Sequence, residues 1–157
     1  MSSGDDRSEP AAAAAVRSPP GLRVQAEDDE TAAAGFRELY TDPVTINGSP
    51  VTAVELVGRA RVLDQALAQP DRQLLAVVDD GTAVAVAFRM SGMHVGPLDT
   101  PAGRVAPTGR RLEFSVMDVL TLTDGLISSI WMVADWLTPL AALGAVQLSS
   151  DDAAATS

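Results

Sequence analysis

The hydrophobic pattern of this chain changes period once, near Pro70, and that change limits the possible folds more than any other feature. Before it, Leu56, Ala60, Leu63 and Leu67 recur at helical spacing, with Arg59, Arg61 and Asp64 elsewhere on the helix surface. Thr52 and Glu55 have the spacing of a capping box at its start. After Pro70 the period is two, as in half-buried strands. Gln73 to Val78 predicts a strand and Asp79-Asp80-Gly81-Thr82 a hairpin turn. Ala83 to His94 predicts a long strand, and Gly96 to Thr108 a loop rich in proline and glycine. Arg110 to Thr123 predicts a second long strand, Asp124-Gly125 a turn, and Leu126 to Trp136 the returning strand. Thr138 to Gly144 predicts a short last helix, with Pro139 where a first-turn proline is tolerated. Helices first and a four-stranded antiparallel meander after them predict an α+β domain, its sheet covered on one face by the early helices.

Upstream, Glu27 to Tyr40 predicts a further helix, since acidic residues crowd its first turn and Phe36, Leu39 and Tyr40 give it an apolar side. Asp42-Pro43 ends it, because a residue before proline avoids the α region. Val44 to Ile46 predicts a short strand, and Asn47-Gly48 a tight turn. Residues 1–25 and 148–157 are Ser, Gly, Pro, Ala and charge, the composition of disordered tails, which leaves 26–147 as a single domain.

Composition excludes several chemistries. Cysteine is absent, so thiolate nucleophiles and thiolate-bound metals are excluded. The one histidine, His94, rules out a multi-histidine metal site within one chain. All 11 basic residues are arginine, which excludes Schiff-base chemistry on lysine. A net charge of −10 disfavours nucleic acid as a partner. No apolar run reaches the roughly 18 residues of a membrane span, so a cytoplasmic protein is expected.

With Asp124-Gly125 as a two-residue loop, Thr123 faces Leu126, Asp118 faces Trp131, and Phe114 faces Asp135. Leu112, Phe114, Val116, Asp118 and Leu120 then share one face with Ser129, Trp131, Val133 and Asp135. Phe88, Met90 and His94 share a face of their own strand. A carboxylate among apolar groups has its pKa raised by desolvation, which suits acid–base work near neutral pH, and a nearby histidine could relay the proton. Asp135, Asp118 and His94 are the catalytic candidates on this reading. Each has a plainer one: Asp135 as a helix cap, Asp118 as the partner of an arginine, His94 as a strand-end histidine.

Five segments in order resemble the SnoaL-like polyketide cyclases of the NTF2-like superfamily. Ser91-Gly92-Met93-His94-Val95-Gly96 is similar to their Gly-x-His-x-Gly segment, and Pro107-Thr108-Gly109-Arg110 to their Pro-Thr-Gly-Arg loop. Thr123-Asp124-Gly125 resembles their Asp-Gly turn, Trp131 to Asp135 their closing Trp-x-x-x-Asp strand, and Leu137 to Gly144 their Leu-rich tail. Asp118 sits where many members place an acid. The resemblance implies an α+β cone: a curved antiparallel sheet wrapped over the N-terminal helices around a deep apolar pocket. It implies a cyclase that needs no metal or organic cofactor, acts on a small polyketide-like molecule and commonly dimerises. The family's acid at the end of the closing strand would be Asp135, with His94 assisting. Tyr40, Phe88, Met90, Phe114, Trp131 and Trp136 are the candidate substrate-binding residues. The segment Tyr40 to Gly48 departs from the usual family version.

Three functions are compatible with these features: ring closure by aldol or shape-directed pericyclic chemistry, an epoxide hydrolase or isomerase on the same fold, and a non-catalytic ligand-binding module. Arg89 is out of phase with Phe88 and Met90, which counts against the Asp-Arg-Asp group of epoxide hydrolysis.

Overall fold

A computed structural model describes residues 28–147. The expected tails lie outside these residues. Helix α1 (Asp29–Arg37) starts where the Asp28 carboxylate accepts the N–H groups of Glu30 and Thr31, both at 3.0 Å. Helix α2 (Ala53–Ala66) starts with the anticipated capping box: Thr52 N–H donates to Glu55 Oε2 at 2.7 Å, and Glu55 N–H donates to Thr52 Oγ1 at 3.3 Å. The helices pack through Ala33, Ala53 and Val57, small enough for close backbone approach, and Arg61 pairs with Asp29 across the contact. The other side of α2 carries Leu56 and Leu63 to the sheet.

Strands β1 (Tyr40–Ile46) and β2 (Ser49–Val51) form a hairpin about Asn47-Gly48, whose φ values of 49° and 83° are those of a tight primed turn. Tyr40 is thus the first residue of a strand, and the preceding helix is shorter than predicted. Strands β3 (Leu67–Asp79) and β4 (Ala83–His94) follow, then a small ribbon of β5 (Leu98–Thr100) and β6 (Gly103–Val105) inside the expected loop. Strands β7 (Arg111–Thr123) and β8 (Leu126–Ala134) and helix α3 (Leu137–Ala142) complete the domain. The main sheet has six strands, not four, in the order β2-β1-β8-β7-β4-β3. It is antiparallel except where β1 runs parallel to β8. The Asn47 side chain anchors that junction, accepting from Met132 N–H at 2.7 Å and donating to Met132 O at 3.1 Å.

Pro70 breaks no strand. It sits in β3 at an edge of the sheet, beside a register shift between Ala68 and Asp71, where its missing N–H costs no ladder bond. A second shift lies between Leu74 and Ala76, and a third between Thr121 and Leu122 opposite the unpaired Ser128. Bulges of this kind bend a sheet. One face of the curved sheet holds Val84, Val86 and Phe88 of β4, Val116 and Leu120 of β7, and Ile127 and Ile130 of β8, all buried in one core with Val44 and Ile46. A smaller core at the other end joins Ala66, Leu67, Leu98, Leu112 and Phe114, with Met90 packed against both. The fold is the expected α+β cone, with helices against the inner face of a curved sheet.

The Ser128 bulge corrects the predicted register. Thr123 pairs with Leu126 as expected, but beyond Ser128 each partner is displaced by one residue: Asp118 pairs with Met132, and Val119 with Trp131. The Ser128 hydroxyl fixes the bulge, donating to Thr121 O at 3.2 Å and meeting Thr123 Oγ1 at 2.8 Å. Since strand side chains alternate, the slip turns Trp131 and Val133 to the outer face, where they are 60% and 72% exposed.

Candidate active site

Along the inner face the register builds cross-strand rows: Arg72, Met90 and Phe114; then Leu74, Phe88, Val116 and Ala134; then Val77, Val86, Asp118 and Met132. Two of these side chains are charged. Asp118 stands among Val86, Val116 and Leu120, as its alternation in β7 predicts. Its Oδ1 is buried and has no hydrogen-bond partner among the described residues. Burial pushes its pKa up to about 6, and the positive charge of Arg72 pulls weakly the other way. The Arg72 guanidinium sits over Phe88, with Cζ 3.8 Å from the ring centroid, a cation–π contact. Burial works against the Arg72 cation too, while Asp118 and Tyr40 favour it. Tyr40 enters from β1, its ring 6.0 Å from Phe36, and burial holds its phenol protonated by raising its pKa. Tyr40, Arg72 and Asp118 are close enough to feel one another's charge, and their surroundings are otherwise apolar.

Asp135, which the resemblance makes the acid–base group, is in a different place. It follows β8, is exposed, and its Oδ1 accepts Thr138 N–H at 3.2 Å in the first turn of α3. These hydrogen bonds hold its carboxyl below the usual range, so it stays ionised as a cap. Its predicted pairing with Phe114 fails because of the Ser128 bulge; Asp135 N–H instead donates to Ser115 O at 2.9 Å.

His94 is fully buried at the far end of β4. Its Nδ1 lies 3.0 Å from Thr108 Oγ1, its backbone N–H donates to Arg110 O at 2.9 Å, and its carbonyl accepts from Gly109 N–H at 2.8 Å. The Gly-x-His-x-Gly and Pro-Thr-Gly-Arg segments are therefore two halves of one clasp. Val86, the cross-strand partner of Asp118, lies eight residues from His94 on β4. At about 3.3 Å per residue that is roughly 26 Å, so the structure does not bring His94 to Asp118. His94 Nε2 is buried without a partner among the described residues.

Phe88, Met90 and Phe114 lie on the inner face as predicted. Trp136 reaches the smaller core, its ring 5.3 Å from that of Phe114. Trp131 is the exception, turned outward by the bulge. Arg89 also points outward, to Glu113 at 3.2 Å, as its phase predicts. Arg72 is the residue that sequence reasoning missed. Its signal in the sequence is its phase with Leu74, but the predicted strand Gln73 to Val78 begins one residue after it.

Among the described residues no three His, Cys, Asp or Glu side chains converge as a metal ion needs, and no helix is long and apolar enough to cross a membrane. Among solved structures, the fold is similar to TsrD from Streptomyces laurentii (TM-score 0.64, 20% identity, covering 75% of this chain and 87% of TsrD). It is similar to a proposed SnoaL-like polyketide cyclase from Jannaschia sp. CCS1 (TM-score 0.62, 21% identity, 73% of this chain and 80% of that one). AclR from Streptomyces galilaeus, a proposed hydroxylase, gives a TM-score of 0.61 at 18% identity over 75% of this chain and 74% of AclR. At these identities the likeness is one of fold. No curated protein matches the chain. The model of the SnoaL-like domain matches residues 23–130, most of the α+β cone with Tyr40, Arg72 and Asp118 inside it, and the chain belongs to the SnoaL-like domain family.

Proposed function

We propose that this protein is a polyketide cyclase in which Asp118 is the acid–base group. The observation that carries the reading is the half-buried carboxyl of Asp118 on an apolar face, its Oδ1 buried without a partner among the described residues and its pKa raised to about 6. Such a group is mostly ionised at neutral pH yet basic enough to take a proton from a carbon beside a carbonyl. The Asp118 carboxylate removes that proton and leaves an enolate. The enolate carbon attacks a second carbonyl of the same molecule and forms the ring's C–C bond. The new alkoxide takes the proton back from Asp118. The product is an isomer of the substrate, so no oxidant or organic cofactor is needed. Phe88, Met90, Val116 and Met132 would fold the substrate's apolar frame over the carboxylate. Membership of the SnoaL-like family and the fold likeness to a proposed polyketide cyclase support the same class.

The test is ring closure of an aryl β-keto ester that carries a pendant ketone. A cyclic product of unchanged mass is expected, with kcat/KM rising as pH passes through about 6 and level above it. A profile flat from about pH 5 to 8 would remove Asp118 from the chemistry and favour shape-directed closure.

The homodimer is also a proposal, and the outer face of the sheet supports it. Rows of Val78, Ala85, Val119 and Trp131, and of Ala76, Ala87, Met117 and Val133, cross four strands there. An antiparallel face open to water is ordinarily polar, and a contiguous apolar patch marks an interface. Sedimentation equilibrium is expected to give a dimer for the parent and a monomer for Trp131→Glu. A monomeric parent at about 100 μM contradicts the proposal.

A further inference from the structure

Arg72 presents an unusual arrangement. Its pairing with Met90 puts it on the inner face, and the contact of its guanidinium with the Phe88 ring, Cζ 3.8 Å from the centroid, holds it there. Yet it makes no hydrogen bond or ion pair with any described residue, and the two acidic groups nearest in charge, Asp118 and Tyr40, are not within bonding distance. An arginine has five N–H donors in a rigid fork, and those of half-buried Arg72 are open to an incoming acceptor, since none of its nitrogens is a sealed, unsatisfied donor. The Tyr40 hydroxyl is likewise without a hydrogen bond among the described residues. Two donors, one cationic, thus lie within electrostatic reach of the Asp118 carboxyl, with no acceptor supplied by the described residues. The other charged residues of β3, Asp71 and Asp79, are exposed, and Arg89 is engaged with Glu113 on the outer face, so among the described residues of β3 and β4 Arg72 is the cation available to the site.

We infer that Arg72 and Tyr40 form an oxyanion-binding subsite beside Asp118, and that the natural ligand is an apolar molecule bearing one acidic, conjugated oxygen, an enolate or its equivalent. This deepens the cyclase reading and rests on it for the identity of the oxyanion. When Asp118 takes the proton, the negative charge passes to the carbonyl oxygen, and a guanidinium fixed in place stabilises that charge without reorganising. The charge balance of the site is then constant through the step: Asp118 becomes neutral as the enolate forms beside Arg72. In the resting site Arg72 faces an ionised Asp118, and in the intermediate it faces the enolate.

Paired probes of one shape test this on the full chain: 2-naphthoate, an apolar anion, and 2-naphthamide, its neutral counterpart, titrated by calorimetry between about pH 5 and 8. The parent protein is expected to prefer the naphthoate, increasingly so as Asp118 is protonated below pH 6. Arg72→Met is expected to lose about tenfold to a hundredfold in naphthoate affinity while naphthamide changes by no more than about twofold. Arg72→Lys should restore part of the preference, and Asp118→Asn should bind naphthoate with no pH dependence through 6. Equal losses for both probes, an undiminished preference in Arg72→Met with its fold intact by circular dichroism, or no naphthoate binding to the parent at about 1 mM each overturn the proposal. If Asp118→Asn keeps its turnover but Arg72→Met loses the anion preference, the acid–base reading fails and the anion subsite stands.

Discussion

Asp118→Asn is expected to lower the proposed ring-closure turnover by about two to four orders of magnitude, and Asp135→Asn to change it by no more than about threefold. The contrast follows from placement. Asp118 is a carboxyl on the apolar inner face with an unpartnered buried oxygen. Asp135 is a solvated cap whose hydrogen bonds to the start of α3 keep it ionised, and a weak base has little use for the proton of a carbon acid. The same substitution at Asp118 stabilises the fold at neutral pH. A carboxyl with its pKa raised to about 6 in the folded state contributes most below its unfolded value, near 4, and loses that contribution as pH rises through 6. Asparagine carries no charge to desolvate, so the variant is more stable than the parent at pH 7 by about 1–2 kcal/mol, after discounting for the partial exposure of the group. The two melting curves converge near pH 4. Lost activity together with gained stability is the signature of a group retained for chemistry. Thermal melts at pH 4 and pH 7 beside the turnover assay check both halves.

Gly96→Ala destabilises the domain by about 3–5 kcal/mol, enough to leave much of it unfolded at physiological temperature. A Cβ at this position would lie 2.2 Å from Gln65 O and 3.0 Å from Gln65 C, both backbone atoms at the end of α2. The obstacle cannot rotate away. Relief requires α2 to move off the end of β4, which breaks the hydrogen bonds from Val95 N–H and Gly96 N–H to Ala66 O, at 2.9 and 3.2 Å. The second glycine of the Gly-x-His-x-Gly segment is thus a docking point for a helix, while His94 between the glycines ties the strand to Thr108. Gly35→Ala is the control: it lies in α1 with open space at its Cβ, and should gain about 0.5–1 kcal/mol through helix propensity. Chemical denaturation of the three proteins reads both effects. A Gly96→Ala protein as stable as the parent would contradict the docking role.

The limits of β4, the Thr52–Glu55 capping box and both two-residue turns were legible in the sequence because each depends on local chemistry: period, spacing and residues tolerant of positive φ. The inner face of β7 was legible for the same reason, and it led to Asp118. What escaped was set by pairing. Nothing local in Leu126 to Ala134 marks Ser128 as the residue without a partner, yet that bulge decides which side Trp131 and Asp135 take. The parallel contact of β1 with β8 joins residues more than 80 positions apart, as Thr45 with Ser129, and no periodicity reports it. Arg72 lies just outside the predicted strand Gln73 to Val78, in the stretch where β3 runs through the proline. Proline halts a central strand, but β3 is an edge, and the strand passes through Pro70 from Leu67 to Asp79. The resemblance identified the fold, while the acid it assigned by position, Asp135 after β8, lies where its carboxylate accepts the Thr138 N–H of a helix start.

The proposed chemistry depends on a single carboxyl in an apolar setting, and the titration of Asp118 can be followed directly. With aspartate labelled with 13C at the carboxyl, the resonance that disappears in Asp118→Asn belongs to Asp118. Its midpoint is expected near pH 6. A midpoint near 4, the value of a carboxyl in water, would show that Asp118 is solvated and would contradict its role as the acid–base group.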